Sequence, residues 1–311
     1  MIRALLIAGP TASGKSAVAL ALAKRFGGLV VNADSMQVYR DLRTLTARPS
    51  EAEEREAPHR LFGAIDGAEN FSVGRWLAAA KAILDEIADR PGPLLFVGGT
   101  GLYFRALTQG LSDIPHVPEA VRAAVRAEAE SEATAALHAR LAERDPLTAA
   151  RLRPSDRQRI LRALEVVAAT GRPLAAFQGA REAPPLAPGQ WAGLFLAPDR
   201  AALNARIDAR FEMMLREGAL EEAAALMARG LDPALPVMRA HGAPHLMAHL
   251  RGEMALAEAA ERAKRDTRQY AKRQFTWARR QMAGFAWVAP EGAEAAGVGA
   301  LRGSWGEKRV V

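Results

Sequence analysis

The chain of 311 residues contains no cysteine. Disulfides and thiolate metal sites are excluded at once, and the composition suits a reducing compartment, so a cytoplasmic protein is expected. No apolar run approaches the roughly 18 residues of a membrane span, so no membrane association is expected. The chain enters an apolar stretch at Ile2, which leaves no room for a cleavable leader. Internal repeats are lacking too. What is there is ordinary for a globular protein: half the residues are hydrophobic, a quarter are charged, and the length allows about two domains. The net charge of +7 favours a nucleic-acid partner, but an arginine-rich composition from a GC-biased genome has the same effect. Charge alone decides nothing.

Residues 9–16 read Gly9-Pro10-Thr11-Ala12-Ser13-Gly14-Lys15-Ser16, a complete G-x-x-x-x-G-K-S phosphate loop. Residues 2–8 before it predict a buried strand, and residues 17–26 after it predict a helix. Strand, glycine turn, helix is the context in which the pattern has a mechanism. Gly9 and Gly14 let backbone N–H groups converge on an anion, and the positive end of the helix dipole points the same way. Lys15 adds a point charge, and the Ser16 hydroxyl can hold Mg²⁺. The loop predicts a polyphosphate ligand.

Further strands are predicted at 28–34, ending in Asp34, and at 94–97, opening into Gly98-Gly99-Thr100-Gly101. Between them, residues 40–70 look irregular, and Ser72 caps a helix running to about Arg90. Strands separated by helices imply a parallel sheet with ligands at the carboxyl ends of its strands. The fold class expected is therefore α/β, a P-loop NTPase-like three-layer core with a parallel sheet. In it the phosphate loop, Asp34 and Thr100 share one crevice. Residues 118–172, dense in Ala, Arg and Glu, and the turn-rich exit at 182–189 predict a helical insertion over 113–190, between core segments 1–112 and 191–290. The second core segment is expected to hold a strand at 191–196 and helices near 199–217, 219–229 and 253–280. A last strand is expected at 285–288, and residues 291–311 are expected to form a flexible tail.

Three roles are open to Asp34: holding a Mg²⁺-bound water, acting as a general base, or capping the following turn. The polar Ser35-Met36-Gln37 after it suits recognition of a base edge better than metal binding. The third strand ends in Gly98 and so supplies no Walker-B carboxylate, which argues against ordinary ATP hydrolysis. Arg206 and Arg210 lie four apart on one predicted helix face, with Leu203, Ile207, Phe211 and Leu215 as its apolar stripe. Spacing leaves open whether they clamp a developing negative charge or are solvated. Seven basic residues and one acid lie between Lys264 and Arg280, interleaved with Tyr270, Phe275 and Trp277. That mix suits either a nucleic-acid backbone with stacked bases or a solvated amphipathic helix. Asp156-Arg157-Gln158-Arg159-Ile160-Leu161-Arg162 is a second basic cluster. His241, His245 and His249 are spaced by four, but Gly242 and Pro244 are expected to interrupt any helix there, and no carboxylate completes a zinc pattern.

The phosphate loop, Asp34-Ser35-Met36-Gln37-Val38-Tyr39 and Val97-Gly98-Gly99-Thr100-Gly101-Leu102-Tyr103 together resemble the tRNA dimethylallyltransferase (IPP transferase) family. The similarity continues through 156–165, Arg206-Ile207-Asp208-Ala209-Arg210-Phe211 and Lys272-Arg273-Gln274-Phe275-Thr276-Trp277, and covers nearly the whole chain. Members transfer a dimethylallyl group from its diphosphate to N6 of the adenine 3′ of the anticodon, in tRNAs reading codons that start with U. The resemblance implies that the loop holds the donor diphosphate and that Asp34 accepts the N6 proton. Thr100, Arg210 and Lys15, with Mg²⁺ on Ser16, would stabilise the departing diphosphate. It also implies an anticodon stem-loop held by Asp34, Ser35, Met36, Gln37 and Thr100, by Arg122, Gln158, Arg159, Ile160, Leu161 and Arg162, and by Arg239. The last helix would add Lys272, Arg273, Gln274, Thr276, Trp277 and Arg279. A monomer is expected.

The chain departs from the family pattern in places. The family usually has Gly-Thr-Ala-Lys-Pro where Leu45-Thr46-Ala47-Arg48-Pro49 stands, and commonly an Asp near Gly63. After Arg239, a hydrophobic residue, Gly and Tyr give way to His241, Gly242 and Ala243. These positions face tRNA or lie in loops, apart from the transfer chemistry. Two other enzymes would share the core: a P-loop kinase of small metabolites, which needs no basic aromatic helix, and an adenylate prenyltransferase, which needs no anticodon-gripping insertion.

Overall fold

The computed structural model describes residues 1–86, 91–177, 179 and 181–305. Six strands form one sheet: β1 (Ala4–Ala8), β2 (Leu29–Asn32), β3 (His59–Arg60), β4 (Leu94–Gly98), β5 (Trp191–Leu196) and β6 (Phe285–Val288). Their order is β3-β2-β4-β1-β5-β6, and every neighbouring pair is parallel. β1, β2 and β4 are buried along their whole length, as their largely apolar sequences, with Asn32 of β2 as the polar exception, require of strands covered on both faces. Val97 is in register with Ile7 on one side and Asn32 on the other. The segments leaving β1, β2 and β4 therefore emerge side by side at one edge of the sheet.

The chain divides into two compact units, Met1–Thr108 together with the chain from Pro185 onward, and Gln109–Pro184. The first holds the sheet and helices α1 (Lys15–Phe26), α2 (Glu51–Glu56), α3 (Val73–Glu86) and α4 (Gly101–Gln109, whose last residue begins the second unit). The second holds α5 (Glu119–Ala129), α6 (Thr134–Arg144), α7 (Pro146–Ala149) and α8 (Arg157–Thr170). Back in the first unit follow α9 (Arg200–Arg216), α10 (Ala219–Ala228), α11 (Ala243–Leu250), α12 (Leu256–Gln281) and α13 (Ala293–Arg302). Local chemistry sets several ends. Gly14 and Gly27 bracket α1 with positive φ, and Ser50 and Glu53 close a capping box on α2. Asp156 caps α8, and Asp199 caps α9 by accepting from the Ala201 and Ala202 N–H groups.

In the second unit, Leu137, Leu141, Ile160, Ala163, Leu164 and Val166 form the centre of a separate apolar cluster. Asp145, fully buried, ties it by accepting from the Thr148 and Ala175 N–H groups at 3.0 and 3.3 Å.

Several sequence expectations need correction. Residues 40–70 contain α2 and the short β3, and α4 and α11 were not anticipated. No helix joins His241 to His245, because α11 starts only after Gly242, at φ of 94°; Pro244 sits in its first turn, where its missing N–H costs nothing, so the proline helps to begin α11. Within the expected flexible tail at 291–311, residues 293–302 are a helix, and 306–311 lie outside the described residues. Gly297 packs so closely on Leu22 that a Cβ there would lie 2.5 Å from Leu22 Cδ1. Beyond α13, Trp305 Nε1 donates to Ile2 O at 2.7 Å and Ile2 N–H to Ser304 Oγ at 2.8 Å. The expected end of α3 near Arg90 lies outside the described residues.

Candidate active site

The phosphate loop leaves β1 at Gly9 and enters α1 at Lys15. Close contact explains its residues: a Cβ at Gly9 would lie 2.8 Å from Ser13 Oγ, and Gly14 has φ of 91°. Ala12 also has positive φ, 60°, a costly conformation for a residue with a Cβ. Lys15 Nζ turns back over the loop and donates to Pro10 O at 3.2 Å. Burial of the ammonium lowers its pKa from 10.5 to about 8, opposed by Asp34 and aided by Arg210. Ser16, in the first turn of α1, is exposed.

Asp34 stands two residues beyond β2 on a rigid platform. Its N–H donates to Asn32 Oδ1 at 2.8 Å, and Asn32 Nδ2 donates to Asp34 O at 2.9 Å and Leu61 O at 3.1 Å. Asn32 is fully buried, and its carbonyl accepts from Trp76 Nε1 at 2.8 Å. Asp34 Oδ1 accepts from Met36 N–H at 2.9 Å, so the carboxylate does cap its turn, and Oδ2 remains for other work. The neighbouring Thr100 hydroxyl accepts from Ser35 N–H at 2.9 Å and joins the Tyr270 phenol. A Cβ at Gly98 would lie 2.0 Å from Ala33 O. The position that could carry a Walker-B carboxylate is thus closed by the backbone that carries Asp34.

One pocket of about 190 Å³ gathers these parts: Thr11 and Ala12 of the phosphate loop, Asp34, Arg210, His241 and Tyr270. Leu45, Ile207, Phe211 and Met214 give it apolar walls. Arg210 also borders the groove over Lys15 and Ser16, where Arg43 and Arg48 face it. The two arginines of α9 therefore part company: Arg206 is exposed, while Arg210 is desolvated, which lowers its pKa, with Asp34 opposing. The buried stripe of α9 is Leu203, Ile207, Phe211 and Met214, with Leu215 only half-buried.

The expectation that the departures from the family pattern lie apart from the transfer chemistry needs correction, since Leu45 and His241 line the pocket that holds Asp34, and Tyr270, also in that pocket, was not assigned to it from the sequence. The His241 and Tyr270 rings meet at 4.5 Å between centroids, and burial, then Arg273, lowers the His241 pKa below its usual value. Burial and the nearby Asp34 raise Tyr270. The three histidines go separate ways, His245 to Asp266 at 2.8 Å and His249 to Met254 O at 3.0 Å. The departures at 48 and 63 are coupled. Gly63, with φ of 58°, leaves the room that the Arg48 guanidinium fills, and a Cβ there would lie 1.8 Å from Nη1. Glu222 of α10 holds the segment before it by accepting from the N–H groups of Arg43, Thr44 and Leu45 at 2.5, 2.9 and 2.8 Å. That fixes Leu45 as a pocket wall.

Other residues expected at RNA are placed as follows. On α12, Lys272, Arg273, Thr276 and Arg279 are exposed, with Arg273 over the Tyr270 ring and Arg279 over Trp287. Gln274 is a correction: it is buried, and its amide bonds to Thr11 N–H and Gly99 O. Trp277 lies against Gly101, where a Cβ would be 2.2 Å from its ring. Gln37 is also engaged inside the protein, donating to Thr46 O and Ala47 O at 2.9 and 3.0 Å. Arg239 lines the main pocket. In the second unit, Gln158 and Arg159 are exposed, Arg162 is half-buried, and Ile160 is a core residue, with Leu161 packed against that core. Ile160 is therefore no RNA contact. Arg122, Arg126 and Arg162 surround the buried Glu165 at 3.9, 2.9 and 3.7 Å.

Comparison with known proteins agrees with this geometry. A family model described as IPP transferase matches residues 37–281, and one described as isopentenyl transferase matches residues 2–63. A tRNA dimethylallyltransferase of Methylocella silvestris is 65% identical over 292 residues, covering 94% of this chain and 96% of its own. One from Bradyrhizobium is 60% identical over 290 residues, covering 93% and 95%. The solved tRNA isopentenylpyrophosphate transferase of Bacillus halodurans is 33% identical with a TM-score of 0.68, covering 97% of this chain and 98% of its own. A eukaryotic dimethylallyltransferase solved acting on tRNA is 26% identical with a TM-score of 0.78, covering 93% and 74%. Phosphate loop, strand-end aspartate and whole-length similarity converge, and the chain belongs to the IPP transferase family, the tRNA dimethylallyltransferases.

Proposed function

We infer that the protein, as a cytoplasmic monomer, transfers a dimethylallyl group from dimethylallyl diphosphate to N6 of the adenine 3′-adjacent to the anticodon, in tRNAs reading codons that start with U. The observation that carries this reading is the pocket in which the phosphate loop, Asp34 and Arg210 meet beside a strand end where no carboxylate fits. Phosphoryl transfer calls for a metal-binding carboxylate near the γ-phosphate. Allylic transfer calls for stabilisation of an intact leaving diphosphate and a base for the amine, and these residues supply both.

The reaction forms a bond from N6 to the allylic carbon and breaks that carbon's bond to the diphosphate oxygen. Asp34 takes the N6 proton through Oδ2, while its backbone platform keeps the carboxylate in place. The loop N–H groups, Lys15, Arg210 and Thr100 hold the charge that collects on the diphosphate. The donor set suits Mg²⁺: one exposed serine hydroxyl and, among the described residues, no group of three acids or histidines. Such an ion keeps several waters and takes phosphate oxygens, so Ser16 would hold it, and it would supply neutralising charge to the diphosphate. The apolar walls Leu45, Ile207, Phe211 and Met214 exclude water around the reacting carbon. For RNA we propose the exposed face of α12 with Lys272, Arg273, Thr276 and Arg279, and on the second unit Arg122, Gln158, Arg159 and Arg162. The strand-end contacts we propose are Ser35 and Met36, joined at the pocket by Arg239 from the turn before α11. The test offers purified protein the prenyl donor with an unmodified anticodon stem-loop, with AMP, and separately labelled ATP. Transfer to the stem-loop alone is expected; phosphate transfer without prenyl transfer overturns the reading.

A further inference from the structure

Gln274 lies on the basic helix α12, yet its side chain points into the protein and is 8% exposed. Its Oε1 accepts from Thr11 N–H of the phosphate loop at 3.0 Å, and its Nε2 donates to Gly99 O at 2.9 Å. The two partners lie 263 and 175 residues away in sequence. Gly99 is open to the amide for a steric reason, since a Cβ there would lie 2.1 Å from Nε2. Gly99 precedes Thr100, and Thr11 lines the pocket that contains Asp34. One amide therefore spans the loop after β1 and the turn after β4. Backbone bonds of the sheet do not reach either point, because both lie beyond the strand ends.

We propose that Gln274 is a positioning residue for the transfer reaction: it fixes the phosphate loop against the Thr100 turn, so that the groups meeting the diphosphate are held in one geometry. The inference rests on the proposed function for what that geometry serves. The Gln274 amide is buried and engaged with the protein, whereas its neighbours Lys272, Arg273 and Thr276 are exposed. The amide is suited to this task because it alone among uncharged side chains of this length offers a donor and an acceptor at one tip. Loss of both bonds leaves a part-buried N–H and a part-buried C=O without their amide partner, with a penalty that corresponds to about 5- to 100-fold in any equilibrium requiring the native loop.

The test uses full-length Gln274→Met, which keeps the volume and removes both bonds, and Gln274→Asn, which keeps the amide but shortens its reach. Affinity for inorganic diphosphate and for an anticodon stem-loop is measured by calorimetry, turnover by prenyl transfer, and protection of the Thr11 amide by hydrogen exchange. Both variants are expected to bind diphosphate about 5- to 100-fold more weakly and to show lower kcat. Stem-loop affinity should stay within about twofold, with protection lost at Thr11 but kept in β1. Should Met at 274 prevent folding, the Asn variant carries the same expectation alone. Wild-type diphosphate binding and Thr11 protection in a folded variant overturns the inference, as does loss confined to stem-loop affinity. A wild-type chain that binds diphosphate but transfers no prenyl group would instead strike the proposed function, leaving the loop measurement to judge Gln274.

Discussion

Replacing Gly98 by alanine puts the strand-end geometry under direct test. The added Cβ would lie 2.0 Å from Ala33 O, 2.1 Å from Ala33 C and 2.7 Å from Asp34 N. All three are backbone atoms, so no side chain can swing away. Ordinary contact begins near 3.4 Å, so β2 and β4 must part locally by about 1.4 Å, although Ala33 N–H donates to Val97 O at 2.8 Å. Overpacking of this kind costs about 1–3 kcal/mol, a fall of roughly 2–12 °C in Tm for a chain of this size. The same shift moves the Asp34 backbone, and a displacement of about 1 Å at a reacting group costs on the order of 10²-fold in rate. Thermal unfolding and single-turnover prenyl transfer read the two effects separately. Gly299→Ala is the control: it is exposed on α13 with nothing within 4 Å of its Cβ, so alanine should stabilise by about 0.5–1 kcal/mol. Wild-type melting and wild-type transfer in Gly98→Ala would refute the claim that this backbone contact fixes Asp34.

Asp34→Asn should keep stem-loop affinity and lower single-turnover transfer by roughly 10²–10⁴, the worth of a positioned base; an unchanged rate removes that role. Arg210→Ala should slow transfer and weaken diphosphate retention in a binding assay, whereas Arg206→Ala, at an exposed position on the same helix, should do neither. Diphosphate affinity should fall as pH rises past about 8, by up to about tenfold per unit, because the free loop then loses the Lys15 proton that the anion favours. The folded-state pKa is lowered from 10.5, so the unfolded chain holds more protons between 8 and 10.5 and stability of the free protein should rise across that window. Calorimetry in buffers of different ionisation enthalpy checks the proton uptake, and a flat profile refutes it. Neutralising Arg273 and Arg279 together should weaken stem-loop binding and flatten its salt dependence, by about 0.9 per lost duplex phosphate contact; an unchanged slope removes α12 from the RNA interface.

The phosphate loop, Asp34 and Thr100 were legible in the sequence because each follows a short apolar run that could only be a buried strand. The register of β1, β2 and β4 then brings them together with no further information. Arg210 was only half legible: spacing places it beside Arg206, but tertiary packing decides which of the two is enclosed. Gln274 was misread because its neighbours are basic and exposed, and nothing local reveals that a polar side chain has partners 263 residues away. Ile160 carried a signal that was passed over. With Ala163, Leu164 and Val167 it repeats at helical spacing, which marks a core position within a basic segment. The helix α13 escaped because its buried face includes Ala293 and Gly297, residues too small to give a strong periodic contrast.

The strand order has a consequence for how the molecule is made. β1 lies between β4 and β5, so the strand synthesised first has one neighbour some 90 residues later and the other near residue 191. At about 5–20 residues per second, ribosomal synthesis leaves an edge of β1 open for roughly 10–40 s before β5 exists to cover it. The outer side of α1 waits longer still, until α13 arrives and Trp305 bonds to Ile2 O. A nascent chain stalled before residue 293 would carry a nearly complete pocket on an unsealed core, with Leu5 and Leu22 lacking their cover. Removing the last helix should therefore show itself first as poor yield and association of newly made chains, and only afterwards as a defect in catalysis.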